Sequence, residues 1–216
     1  MKSPFAILSL LFGAASLASG ATFMTPVSIT SPNSSAFFPI ANLFEGPGVG
    51  YAAAAPHDGV GAGHTWVTND VPFPQDYYAT QPAPILLIDL GANRFLTEIS
   101  TWGYTTSNAN GVKIFDLRFA TEAEGLAGFG TSIPNQGGFT AALSDITRDS
   151  HPLNPVTARY VEFTATDNYW SNAGQGPPPG GDRVGLGEIA FAVVPEPASV
   201  LLSAMAGIGL MRRRRR

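Results

Sequence analysis

Val112-Lys113-Ile114-Phe115-Asp116-Leu117-Arg118-Phe119-Ala120 is the stretch whose pattern decides the fold. Phe115, Leu117 and Phe119 fall on one face of an extended chain, and Asp116 and Arg118 fall on the other. Apolar residues repeating every second position mark a half-buried β-strand, not a helix. Tyr160–Ala165 repeats the pattern, with Val161, Phe163 and Ala165 opposite Tyr160, Glu162 and Thr164, and Ile189, Phe191 and Val193 repeat it near residue 193. Ile85–Leu90 is instead a continuous apolar run closed by Gly91, which predicts a strand buried on both faces. A short turn at Ala92-Asn93-Arg94 then leads into a further strand over Phe95–Tyr104. Between such runs stand clusters of Gly, Pro, Asn and Asp, and helical periodicity is scarce, so the expected class is an all-β sandwich or barrel. Gly46–Pro84 and Asp167–Asp182 read as long loops, and loops of that length are usually functional or mobile.

The two ends of the 216-residue chain have a different character. Met1-Lys2 gives a positive start, Phe5–Phe12 an apolar core and Ala18-Ser19-Gly20-Ala21 small residues suited to signal-peptidase cleavage, so residues 1–21 read as a secretory signal. At the other end Val194-Pro195-Glu196-Pro197 precedes an apolar run, Ala198–Met211, and the cluster Arg212–Arg216. That run is about 14 residues, roughly 21 Å as a helix, short against a hydrocarbon core of about 30 Å. The arginines would hold the C-terminus on the cytoplasmic side, and Pro195 and Pro197 would keep the preceding tetrapeptide extended and open to a processing enzyme. The three parts in this order resemble the PEP-CTERM sorting signal of Gram-negative bacteria. The resemblance implies removal by a membrane-embedded exosortase, transient anchoring in the inner membrane, and a final place at the cell surface or in an exopolysaccharide matrix. Val194, Pro195, Glu196, Pro197, Arg212 and Arg213 are its sorting residues. The alternatives are a plain tail anchor and a basic nucleic-acid-binding tail, but a nucleic-acid patch would not follow directly on an apolar helix.

Removing both ends changes the charge. The whole chain stands at −4 with 12 basic and 16 acidic residues, and Lys2, Arg212–Arg216 and Glu196 leave with the ends. The remaining 6 basic and 15 acidic residues give −9, which disfavours nucleic acid and anionic lipid and suits divalent cations or neutral sugars. The chain has no cysteine, so an exported life here involves no disulfide, thiol catalysis or Cys-ligated zinc.

Within residues 22–193 the order Asn42-Leu43-Phe44-Glu45-Gly46, Thr65-Trp66-Val67, Ile85–Gly91, Ile99–Tyr104, Arg159–Phe163 and Gly187–Phe191 resembles a discoidin, or coagulation factor 5/8 type C, domain. The fold implied is the galactose-binding-like jelly-roll β-sandwich. The resemblance further implies a structural Ca2+ site tying an early loop to the last strand, which falls here on Glu45, Thr65 and Glu188. Glu stands where the family more often has Asp, and the stretch from Gly46 to Thr65 is longer than usual. The alternative is that Glu45 is solvated and Glu188 lies on an exposed strand face. Glycan binding in such domains uses loops at one end of the sandwich, where aromatic faces stack on sugars and polar groups fix hydroxyls. Tyr77, Tyr78, Tyr169 and Trp170 are the candidate platforms, and His57, Asp182 and Arg183 their polar companions; equally, these aromatics could cap the core edges and Arg183 could pair with Asp182 or a neighbouring acid. Trp66 and Trp102 are expected in the core.

Enzyme signatures are missing from the sequence: it has no His-Glu-x-x-His, no Gly-x-Ser-x-Gly and no phosphate-cradling glycine loop. His57, His64 and His151 stand isolated. The expectation is therefore an exported, non-enzymatic binder of exopolysaccharide or another surface glycan. A structural component of the extracellular matrix without a sugar site is the rival, and a polysaccharide-acting enzyme is a distant third.

Overall fold

The alternation seen in the sequence is carried by nine strands among the described residues, and two of them are long enough to turn the corner between the sheets. The computed structural model describes residues 22–44, 63–145 and 147–194. The strands are β1 (Thr22–Met24), β2 (Ser28–Thr30), β3 (Trp66–Val67), β4 (Ile85–Trp102), β5 (Val112–Ala120), β6 (Gln136–Thr140), β7 (Arg148–Asn168), β8 (Gly185–Leu186) and β9 (Glu188–Val193). A four-residue helix, α1 (Tyr77–Thr80), is capped by Asp76, whose carboxylate accepts the Tyr78 N–H at 3.1 Å.

All the strand pairs are antiparallel. The first half of β4 lies between β2 and the second half of β7, which continues through β5 to β6. The second half of β4 lies between β9 and the first half of β7, with β1 beyond β9. The two leaves therefore share β4 and β7 and enclose one apolar core. Leu86, Ile88, Leu90, Leu96, Phe115, Phe119, Val161, Phe163, Ile189 and Phe191 contribute to it from both leaves. Phe115 stacks on Phe163 with ring centres 4.5 Å apart and on Phe139 at 5.2 Å. Trp66 and Trp102 are fully buried, as expected of core residues.

Phe115, Leu117 and Phe119 point inward on β5, and Val161, Phe163 and Ala165 do so on β7. Three expectations are corrected. The run Ile85–Leu90 alternates after all: Leu86, Ile88 and Leu90 are buried, whereas Ile85 is exposed and Leu87 half-covered beside its partner Thr30. Two-sided burial belongs instead to β9, where Glu188, Ile189, Ala190, Phe191 and Ala192 are all buried. Finally, residues 92–94 do not divide two strands. The ladder continues through a wide bulge in which residues 90–93 of β4 face Arg159 alone, bending the strand around the core. The bulge is fastened from both sides, for Asp89 accepts the Gly91 N–H and a two-pronged ion pair from Arg159 at 2.9 and 3.0 Å.

Candidate loop-end site

Four connections meet where β4 and β7 end and β5 begins: residues 31–38, 68–76, 103–111 and 169–184. Asn residues hold them together because a carboxamide both donates and accepts, and so can replace a backbone pairing partner. Asn168 donates to the carbonyls of Gly181 and Arg183, each at 3.0 Å, and accepts the Trp170 N–H at 3.0 Å. Asn110 accepts the N–H groups of Gly181 and Arg183 at 2.6 and 3.3 Å. The segment 181–183 is thus clamped between two buried carboxamides. Asn33 extends the network, accepting the Asn69 N–H at 2.9 Å and donating to the Tyr77 hydroxyl at 2.7 Å. Gly181, at φ +98°, is needed here, since a Cβ would stand 2.8 Å from the Trp170 ring.

Of the expected glycan platforms, Tyr77 has no exposed surface and is withdrawn. It sits in α1 under the 181–183 segment, donating its N–H to the Gly181 carbonyl, and burial raises its phenol pKa against hydrogen bonds from Thr68 and Asn33. Tyr78 is half-buried, edge-on to Tyr77, with its hydroxyl donating to the Ala165 carbonyl at 3.1 Å. Burial, with the nearby charges of Tyr77, Asp167 and Asp76, pushes its pKa above the usual phenol value. The Tyr169 hydroxyl donates to the Ala141 carbonyl at 2.6 Å. These tyrosines brace the loops against the sandwich, the core-edge role held open above.

Trp170 is different. It is half-buried between Gly174 and Gly181, beside the ring of Phe73, and its indole N–H has no hydrogen-bond partner among the described residues. Phe73 itself is 54 % exposed and Phe37, on the 31–38 connection, 82 %. Neither phenylalanine was expected from the sequence; the signal that could have found them is their position between turn residues with no strand pattern around them. Arg183 lies at this end, 3.2 Å from Asp70 and 3.9 Å from Asp182. Exposed aromatic faces, a free indole donor and a guanidinium held between two carboxylates are therefore gathered at one end of the sandwich. His57 lies outside the described residues.

Two of the three expected metal residues, Thr65 and Glu188, are also close to this end. Glu188 is the first residue of β9, paired with Trp102, and only 1 % exposed, so the exposed-face alternative is excluded. Thr65 is fully buried, and its carbonyl accepts the Asn42 side-chain amide at 2.7 Å. Trp66 pairs with Leu186, which directs Thr65 toward Gly187 and Glu188. Carboxylate, hydroxyl and carbonyl oxygens are the ligand types that calcium takes. Glu45, Pro195, Glu196, Pro197, Arg212 and Arg213 lie outside the described residues, as do residues 1–21. Among the described residues no three His, Cys, Asp or Glu side chains gather into a metal-binding group, and no helix is long and apolar enough to cross a membrane.

Comparison with known proteins agrees with this architecture. Residues 193–216 match the PEP-CTERM protein-sorting motif. A solved structure described as a family 32 carbohydrate-binding module of a glycoside hydrolase family 31 protein, bound to GalNAc, superposes with a TM-score of 0.50 at 10 % identity. It covers 80 % of this chain and 98 % of its own. The family 32 module of C. perfringens NanJ, in complex with galactose, gives 0.49 at 11 % identity, covering 79 % and 99 %. No curated protein matches by sequence. The chain carries a PEP-CTERM sorting motif after a β-sandwich whose fold is similar to that of a family 32 carbohydrate-binding module.

Proposed function

We propose that the protein is an exported, surface or matrix glycan binder that performs no chemistry, and that it holds polysaccharide at the loop end around Trp170, Phe73 and Arg183. The observation that carries this reading is the Trp170 environment: a rigidly seated, half-exposed indole with an unused donor beside an exposed ring and an ion-paired guanidinium. Aromatic faces take up the apolar face of a sugar, and Arg183, Asp70 and Asp182 offer donors and acceptors to its hydroxyls. The resemblance to carbohydrate-binding modules supports the class of ligand, since the neighbours named above were solved with GalNAc and galactose. The tail supports export, with exosortase and signal peptidase as processing partners and the inner membrane of a Gram-negative cell as a transient anchor.

Calcium would be held by Glu188, Thr65 and Glu45, and would supply a structural tie between the start of β9 and the connection preceding β3. The second reading, a matrix building block without a sugar site, is favoured by one observation: the hydroxyls of Tyr77, Tyr78 and Tyr169 are all engaged within the fold. A glycan array probed with the exported protein and its Trp170→Ala, Phe73→Ala and Arg183→Ala variants separates the two. Binding to a defined glycan that falls at least ~tenfold in these variants, about 1.4 kcal/mol per variant, supports the binder; an array with no hits supports the building block. Changing Pro195-Glu196-Pro197 to alanines leaves a membrane-retained precursor on this reading, and normal release of that variant would refute the sorting role.

A further inference from the structure

A concavity lies away from the loop end, on the flank where the edges of the two leaves face each other. It has a volume of about 450 Å³ and is lined by Asn135, Gln136, Gly137, Phe139, Pro152, Leu153 and Asn154. Two bulges make it. On β6, Gly137 and Gly138 together face Asp116 alone, because Phe139 pairs with Phe115 and Gln136 with Leu117. On β7, residues 153–155 face Thr97 alone, because Val156 pairs with Leu96 and Pro152 with Glu98. A bulge releases backbone groups from the ladder, and here a side chain meets them. Gln136 accepts the Asn154 N–H at 2.8 Å and donates to the Asn154 carbonyl at 2.9 Å, standing in for a strand. Bulges concentrate at sheet edges and beside binding sites, where they re-aim side chains.

What lines the space then narrows its ligand. None of the lining side chains is charged, so nothing there neutralises an anion or a cation. Asn135 and Asn154 are exposed, and their carboxamides have no hydrogen bond among the described residues; each offers both donors and an acceptor. Between them lie the apolar surfaces of Pro152, Leu153 and Phe139, the last seated firmly against Phe115. A peptide strand is a poor occupant. The β6 ladder is broken by its two-residue bulge, and the facing strand carries Pro152 and Pro155, which have no N–H to pair. A ligand with one apolar face and a rim of neutral hydroxyls fits this combination, and the volume lies within the roughly 300–1,000 Å³ of small-molecule sites.

We propose that this flank notch is a second carbohydrate subsite, taking a neutral pyranose unit, with the Asn135 and Asn154 carboxamides reading its hydroxyls. Gln136, opposite Leu117, is five residues along β5 from Val112 at the loop end, or about 17 Å. The two sites are therefore separate, and one domain can hold two chains or two places on one chain. Bivalency of this kind raises avidity without new contacts.

The test is a titration of isotope-labelled exported protein with the methyl glycosides of galactose, glucose, mannose and N-acetylglucosamine, and with glucuronate, following the side-chain amide resonances of Asn135 and Asn154. The expected result is a saturable shift of both with at least one neutral glycoside. It persists in Trp170→Ala, and its affinity, followed in the Asn135→Ala/Asn154→Ala double variant by the backbone amides of Gln136 and Gly137, which also line the notch, falls ~tenfold or more, as loss of two hydrogen bonds requires. No shift with any neutral glycoside overturns the proposal, as does equal affinity in the double variant or tighter binding of glucuronate. Concentration-dependent self-association that moves the same resonances without sugar also overturns it, assigning the notch to a second copy of the chain. Array binding undiminished in Trp170→Ala, with the shifts at Asn135 and Asn154 retained, would leave the flank subsite standing while the loop-end reading fails.

Discussion

Asn168→Ala tests whether the loop end is organised by its buried carboxamides. Asn168 is 1 % exposed and makes three hydrogen bonds. One loss is cushioned, because the Gly181 carbonyl also accepts the Tyr77 N–H at 3.0 Å. The Arg183 carbonyl and the Trp170 N–H lose the partner that Asn168 supplied. Each partly buried group left unpaired costs about 1–2 kcal/mol, and the small cavity adds to this, so the variant should lose about 2–4 kcal/mol. Asn110→Ala strips the buried Gly181 N–H of its 2.6 Å acceptor and should cost about 1–3 kcal/mol. The two residues grip the same segment, Asn168 by its carbonyls and Asn110 by its N–H groups. Once one has let go, the other holds less, so the double variant should fall short of additivity by about 1 kcal/mol.

Urea unfolding reads both effects as a shift in midpoint at constant slope, with the exposed Asn154→Ala as a control expected within about 0.5 kcal/mol of the parent. Amide exchange should show protection lost over residues 171–183 first, and glycan affinity should fall with it because Trp170 and Arg183 lose their seats. An Asn168→Ala loss below about 0.5 kcal/mol, or strict additivity in the double variant, would refute the clamp.

Acid should weaken the protein through two groups. His151 is buried on β7, with Nε2 3.1 Å from Thr101 Oγ1 and 3.6 Å from Asp149 Oδ2, against the rings of Phe115 and Phe139. Burial lowers its pKa against the opposing pull of Asp149 and Glu98, so the unfolded chain binds the proton first and stability falls as pH drops below the ordinary histidine value of about 6.5. In His151→Leu the stability slope between about pH 6.5 and 5 should flatten; an unchanged slope would acquit His151. Asp89 is held below its ordinary value, chiefly by hydrogen bonds from Arg159, so its contribution is complete above the unfolded carboxylate pKa and is lost as pH falls through the folded one. Asp89→Asn should therefore remove an acid-dependent component seen below about pH 4, and a parent-like acid profile would show the bulge is held by other contacts. Calcium should raise the melting temperature of the parent and leave Glu188→Ala unmoved, since only an ion bound to the native state stabilises it; an equal rise in both would place any ion elsewhere.

The strands were legible because period two survives wherever one face meets the core and the other meets water. Phe115, Leu117 and Phe119 obey it, as do Val161, Phe163 and Ala165. It misled at Ile85–Leu90, where apolar residues stand on both faces but only one is buried, and at β9, where both are buried and small Ala190 and Ala192 fill the second face. Residue type alone does not say how many sheets cover a strand.

The site was less legible for a related reason. Aromatics in loops look alike in sequence, yet Tyr77 is buried beneath the 181–183 segment while Phe73 and Trp170 stand at the surface, and the difference is set by Asn110 and Asn168, which lie 58 residues apart in the chain. Asparagines in loops ordinarily read as turn formers. Here they act as detached pieces of a strand, and Gln136 does the same for Asn154 at the flank notch. In both places the backbone leaves the ladder, a carboxamide takes the ladder's place, and a side-chain surface opens beside it. On this protein, the surfaces proposed for binding lie where sheet pairing is interrupted and repaired. The repair residues, Asn110, Asn168 and Gln136, are therefore the ones whose loss should blunt recognition through the backbone they hold.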